Sequence, residues 1–263
     1  MGTFGVLAQA TAPDNARLFW SEVVGTGVLI LLGDGVVAGV LLGRSKAQNS
    51  GWIVITWAWA MGVLFGVWTS AAMGGLGHLN PAVTIGFWAS DRLPEGFAFA
   101  QVVYLIGGEF VGAFAGAILV YLAYLAHWRE TEDAGLKLAV FCTGPGIRNY
   151  TANLVTEIIG TLMLLLGVFA IFVATPFGGT PGALGTGFGP FIVALLVFAI
   201  GMSLGGPTGY AINPARDLGP RIIHAVLPIP GKRDPDWAYS WVPVVGPIIG
   251  GILGAWLARA AFL

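Results

Sequence analysis

The tripeptide Asn-Pro-Ala occurs twice, within Gly77-His78-Leu79-Asn80-Pro81-Ala82-Val83-Thr84 and within Thr208-Gly209-Tyr210-Ala211-Ile212-Asn213-Pro214-Ala215-Arg216-Asp217. Each copy follows a glutamate near the start of an apolar stretch. Glu22, in Glu22-Val23-Val24-Gly25-Thr26, precedes Asn80 by 58 positions, and Glu157, in Glu157-Ile158-Ile159-Gly160-Thr161, precedes Asn213 by 56. Two motifs in register with two glutamates mark an internal duplication. Asn is a strong N-cap type, and Pro suits the first helical turn, where its missing N–H is not needed. Each motif therefore reads as the start of a helix. The apolar pieces that follow, Pro81 to Ser90 and Pro214 to Ala225, are too short to cross a bilayer, which takes about 20 residues. Backbone broken at that depth survives only when buried in protein or lining a wet cavity. A pore built from two related halves, each giving one broken helix, is the expected product.

Composition supports a membrane setting. The chain is 56% apolar and 10% charged, with a mean hydropathy of +0.82, whereas a soluble domain carries about 25% charged residues. Forty-one glycines suit helices that approach closely in lipid. Glycines 112 and 116, and 246, 250 and 254, recur every fourth residue, which suggests contact between the two halves. A net charge of −1 offers no basic surface for nucleic acid. Cys142 stands alone, so no disulfide framework or cysteine metal site is expected. Residues 1–17 lack a basic segment followed by a cleavage site and read as a short tail.

Six apolar stretches are long enough to span: Leu18 to Leu42, Trp52 to Trp68, Phe97 to Tyr124, Leu154 to Ala174, Phe188 to Leu204 and Trp241 to Leu257. The expected fold is an all-α membrane protein with six transmembrane helices and two half-helices. Residues 1–263 form one channel domain: a first repeat at 18–123, a connecting loop at 124–151 and a second repeat at 152–263. Three crossings per repeat make the second enter from the opposite face, so the halves are inverted. The half-helix N-termini then meet near the midplane. They place partial positive charge there, and the amides of Asn80 and Asn213 can donate to a passing oxygen. Such a site repels cations and accepts neutral solutes.

These motifs and their flanks resemble the aquaporin (major intrinsic protein) family, from about Leu18 to the C-terminus. The resemblance implies a homotetramer with one pore per subunit in the plasma (inner) membrane, and passive transport with no cofactor. It makes Asn80, Pro81, Ala82, Asn213, Pro214 and Ala215 the pore motifs. Arg216 corresponds to the selectivity-filter arginine; a charge at this depth is expensive unless it faces water. Asp217, directly after it, marks the glycerol-conducting branch and is read as structural support. Gly201 resembles the small filter residue of glycerol facilitators, where strict water channels carry His. Tyr210 falls where glycerol facilitators commonly have Phe. Trp59 is the choice for the filter tryptophan, with a one-residue insertion inferred in Met73-Gly74-Gly75-Leu76-Gly77; Trp57 is the competing choice. Carbonyls of Leu76, Gly77, His78, Gly209 and Tyr210 are expected to line the path.

Glu22 and Glu157 could relay protons or receive backbone N–H groups; the resemblance favours bracing of the two motif loops. His78 is read as orienting its loop, with gating by its titration as the alternative, while Asp34 and Glu109 receive no role. His127 and His224 are expected near the interfaces. A strict water channel is the nearest rival to a glycerol channel. A secondary transporter also uses inverted repeats, but coupling carboxylates would be expected where these motifs carry amides. An enzyme would need a nucleophile–base or metal set, and none is evident. The resemblance puts both termini in the cytoplasm. Charge counting opposes this: Arg17, Arg92 and Arg259 would lie inside, against Arg44, Lys46, Arg129, Lys137, Arg148, Arg221, Lys232 and Arg233 outside.

Overall fold

A computed structural model describes residues 14–174 and 188–262. Most of the expected tail, residues 1–13, lies outside the described residues. The described chain is helical: α1 Asn15–Leu41, α2 Trp52–Ala72, α3 Pro81–Ala89, α4 Phe99–Ala123, α5 Ala134–Phe141, α6 Tyr150–Phe172, α7 Gly189–Leu204, α8 Pro214–Val226 and α9 Val242–Phe262. Among the described residues, α1, α2, α4, α6 and α9 are long and apolar enough to cross a membrane, and α7 is a shorter apolar helix of 16 residues. Their outer faces carry large apolar side chains in the open, including Trp20, Phe65, Leu122 and Trp256. That surface suits lipid, and the fold is an all-α multi-pass membrane architecture.

Local chemistry explains where helices begin. Asp14 accepts from the N–H groups of Ala16 and Arg17 at the head of α1. Asn149 does the same for Ala152 at the head of α6. The connecting loop expected at 124–151 is not all loop. It contains α5, whose start is capped by the Asp133 carboxylate, accepting from Gly135 and Leu136.

The glycines act differently from the expectation. A Cβ on Gly112 would stand 2.9 Å from the Gly27 nitrogen, and one on Gly116 2.7 Å from the Gly27 carbonyl. Gly250 abuts the backbone of Ile158, and a Cβ on Gly254 would lie 2.5 Å from the Leu162 carbonyl. These ladders lock α4 onto α1 and α9 onto α6, within each half, not between halves. The halves meet where α2 packs on α7 and through the short helices. Gly86 of α3 faces the Gly251 carbonyl of α9, and Gly219 of α8 faces the Ala113 side chain of α4. So α3 packs on α9 and α8 on α4.

Several of the cations counted for the outer side are paired or buried. Arg221 is fully buried against Asp217. Arg44 pairs with Glu130 at 3.0 Å, Arg148 with Asp236, and Lys137 donates to the Pro230 carbonyl. Arg259 pairs with Asp91 at 3.0 Å and Arg17 lies 4.0 Å from Asp14, so cations on both sides of the expected topology have acidic partners and the orientation conflict stands. His224 is wholly buried beside the Phe141 ring. His127 sits beside the Gly43 carbonyl, 2.9 Å from Nδ1.

Candidate functional site

Both motif loops are built the same way. Glu22 accepts from the N–H groups of His78 at 3.1 Å and Leu79 at 2.7 Å. Glu157 accepts from Ala211 at 3.0 Å and Ile212 at 2.9 Å, and also from the Thr208 hydroxyl at 2.6 Å. Both carboxylates are buried. Loops with left-handed backbone at non-glycine positions need such anchors: Leu79 has φ 54°, Ile212 φ 43° and Tyr210 φ 40°.

The bend before each Asn has a clear consequence. Asn213 Nδ2 donates to the Leu79 carbonyl at 2.7 Å, and Asn80 Nδ2 donates to the Ile212 carbonyl at 2.8 Å. The two motifs therefore clasp one another reciprocally. Each Asn Oδ1 caps its own helix, accepting from Ala82 in the first copy and from Ala215 and Arg216 in the second. An amide has two N–H donors. One is used in the clasp, and the second is left at a place where both Asn side chains are 5% exposed. Pro81–Ala82 and Pro214–Ala215 form the first turns of α3 and α8, so two helix N-termini converge here with their partial positive charge.

Arg216 projects from α8 beside this meeting point. Its guanidinium carbon lies 3.9 Å from the centre of the Trp59 ring, a cation–π contact. Trp59 is 4% exposed; Trp57 is 45% exposed and set edge-on to Phe198. The structure therefore brings Trp59, not Trp57, to Arg216. The Trp59 ring lies against Gly33, in space that any side chain at 33 would occupy. Gly201 and Tyr210 are also adjacent. A Cβ at 201 would stand 2.8 Å from Tyr210 Cζ and 3.0 Å from Thr56 Cγ2. The small residue makes room for the aromatic one. Trp52 completes this corner, edge-on to Tyr210 at 5.7 Å and donating from Nε1 to the Gly201 carbonyl.

Among the described residues, no hydrogen bond ends on the carbonyls of Leu76, Gly77, His78, Gly209 or Tyr210. Five acceptors without a protein donor in two clasped loops can serve a moving solute. Asp217 is engaged elsewhere. It accepts from the Thr143 N–H and hydroxyl at 2.7 and 2.6 Å, and from Arg221 Nε at 2.8 Å. Arg221 in turn donates to the Thr143 carbonyl at 2.9 Å.

With this geometry established, the comparisons decide the family. The sequence matches the Major intrinsic protein family over residues 9–258. The chain belongs to that family. Family members similar to it include a "Probable glycerol uptake facilitator protein" of Thermotoga maritima, 56% identical over 93% of this chain and 99% of that one. "Glycerol uptake facilitator protein 3" of Lactiplantibacillus plantarum is 51% identical over 90% and 93%. Among family structures, the aquaglyceroporin from Plasmodium falciparum superposes with a TM-score of 0.80 at 27% identity, covering 94% of this chain and 97% of that one.

Sequence reading of this family member missed several buried polar residues. Glu109 accepts from the Thr84 hydroxyl at 2.7 Å, and that hydroxyl sits 2.9 Å from His78 Nδ1, so His78 is tied to α3 and α4. Asp34 lies on α1, 3.5 Å from Arg216 Nη1. Each was visible as a lone charge in an apolar helix, a signal that calls for a buried partner. Arg221 carried a further cue, its spacing of four from Asp217 on a helix.

Proposed function

We propose that this chain is a passive channel for glycerol and other small uncharged polyols, passing some water and excluding ions and protons. It is a transport protein of the major intrinsic protein family, not an enzyme, and needs no cofactor. The observation that carries the reading is one cluster of side chains: Arg216 over the face of Trp59, beside a corner where Gly201 yields space to Tyr210. Glycerol has hydroxyls along one edge and CH groups along the other. The guanidinium and the free loop carbonyls suit the hydroxyls; the aromatic faces suit the CH groups. Similarity to glycerol uptake facilitators of Thermotoga and Lactiplantibacillus supports the same solute class.

In this reading the chain is one channel domain with an inverted three-plus-three repeat, at 18–123 and 152–263. The apolar helix α7 is the sixth crossing, and α3 and α8 are the two half-helices. The selectivity filter is Trp59, Gly201, Tyr210 and Arg216. Asn80 and Asn213 hold the midplane, and the carbonyls of residues 76–78, 209 and 210 form the acceptor ladder. Glu22, Glu157 and Asp217 are scaffold. The protein assembles as a homotetramer in the plasma membrane, with both termini cytoplasmic. Weak, sequential contacts let solute leave as readily as it enters.

The test is stopped-flow light scattering on proteoliposomes, with water and glycerol permeability measured against empty vesicles. Glycerol flux well above background, lost in Gly201→His, is the expected result. Fast water with background glycerol would overturn it, and would mean that the Tyr210 ring closes the corner and leaves a strict water channel.

A further inference from the structure

We propose that Asp34 is the counter-ion and positioning residue of Arg216, and that it thereby sets which solutes the constriction passes. The proposal rests on the reading of Arg216 as a pore residue.

Arg216 is 7% exposed, and among the described residues its Nη1 has no hydrogen-bond partner. A buried guanidinium needs an opposite charge. The acid next to it in sequence, Asp217, is already engaged by Thr143 and Arg221. Asp34, fully buried on α1, brings its Oδ1 to 3.5 Å from Arg216 Nη1. Neither Asp34 oxygen receives a hydrogen bond among the described residues. Its carboxylate therefore faces the guanidinium as a charge partner, while Trp59 holds the flat face of the same group. The two contacts together leave the guanidinium little freedom, and its remaining N–H groups stay available to solute.

The duplication supplies an internal control. The spacing that relates Glu22 to Glu157 relates Asp34 to Phe169, and the spacing that relates Asn80 to Asn213 relates Val83 to Arg216. Both Val83 and Phe169 lie in the apolar core, and Phe169 packs on α3 through Phe87 with ring centres 4.8 Å apart. Across the pseudo-two-fold, one half-helix and the opposing long helix thus meet through an apolar pair. The other half-helix and its opposing long helix meet through a charged pair. At these equivalent positions the molecule thus has Asp34 facing Arg216 in one place, and Phe169 and Val83 in the other.

The experiment is a double-mutant cycle in proteoliposomes with Asp34→Asn, Arg216→Gln and the double variant, reading the ratio of glycerol to water permeability. Asp34→Asn alone is expected to shift that ratio by about threefold or more, within the range of coupled neighbours. In the Arg216→Gln background it is expected to add nothing. An unchanged ratio in Asp34→Asn, or the same shift in both backgrounds, overturns the proposal, because a merely structural Asp34 does not act through Arg216. If Asp34→Asn fails to yield folded protein, recovery of folded protein in the double variant supports the pair, and no recovery overturns it. Wild-type glycerol flux at the empty-vesicle level would sink the glycerol-channel reading alone; the cycle is then read on water permeability by the same coupling criterion.

Discussion

The first and second motif loops share a backbone and differ in chemistry. Each is anchored by a buried glutamate, bent into the left-handed region just before its Asn, and clasped to the other through Asn Nδ2. Beyond that they diverge. The half-helix α3 carries Val83, Thr84 and Trp88; α8 carries Arg216, Asp217 and Arg221 at the corresponding positions. Four buried charges belong to or face the second half-helix: Arg216, Asp217, Arg221 and Asp34. The duplicated scaffold holds two helix ends at one point, and buried charges gather on one side of it. Parts that set geometry should respond alike in the two halves, and parts that set solute choice should not.

The largest expected effect breaks the scaffold. Replacing either brace with alanine strands buried donors at about 1–3 kcal/mol each. Glu22→Ala strands two N–H groups, and Glu157→Ala strands two plus the Thr208 hydroxyl. Both variants should melt well below the wild type in detergent, with Glu157→Ala lower by roughly one donor's worth. Equal melting temperatures would show that Thr208 adds nothing to the second brace. Next come the glycine ladders. Gly112→Ala and Gly250→Ala each press a methyl against backbone that cannot swing aside, an overpacking cost of about 1–3 kcal/mol. The two losses should match, and a large disparity would argue that the halves do not share one packing scheme.

A smaller and more asymmetric effect is expected at the motif asparagines. Asn→Ala removes a cap, at about 0.5–2 kcal/mol, together with one strand of the clasp. Asn80 caps one N–H, whereas Asn213 caps two, including that of Arg216. Asn213→Ala should therefore alter the glycerol-to-water permeability ratio more than Asn80→Ala. Equal changes would mean that Arg216 is held by its side-chain contacts alone.

How much of this was legible follows from the same contrast. The repeated features could be read because they repeat: the motifs, the two glutamates, and the short helix that each motif opens. Helix starts at Pro81 and Pro214 followed from Asn-Pro chemistry. What was missed occurs once. Asp34 and Arg216 lie far apart in the chain, and only folding brings them within an ion pair. Glu109 meets Thr84 in the same way. The glycine ladders were seen, but periodicity says that a helix is closely approached and not by which neighbour. The helix α5 went unread because eight residues are too few for a periodic signal, although Asp133 marked its start.

The smallest effect sharpens the comparison at one atom. The position equivalent to Tyr210 in the first loop is Gly77, and both adopt positive φ, 40° and 67°. Glycine takes that backbone freely; a tyrosine is strained there and must be kept for its ring. The ring fills the space beside Gly201, but its hydroxyl is buried with no hydrogen-bond partner among the described residues. An unsatisfied buried hydroxyl is destabilising by about 1–3 kcal/mol. Tyr210→Phe should therefore leave glycerol permeability within about twofold of wild type and raise the melting temperature by a few degrees, as about 1 kcal/mol does for a protein of this size. Tyr210→Gly, which relieves the backbone and removes the ring, should instead change the glycerol-to-water ratio. A Tyr210→Phe variant that lost glycerol flux would show that the hydroxyl itself reaches the solute, and that the second loop contributes a side-chain hydrogen bond where the first offers only backbone.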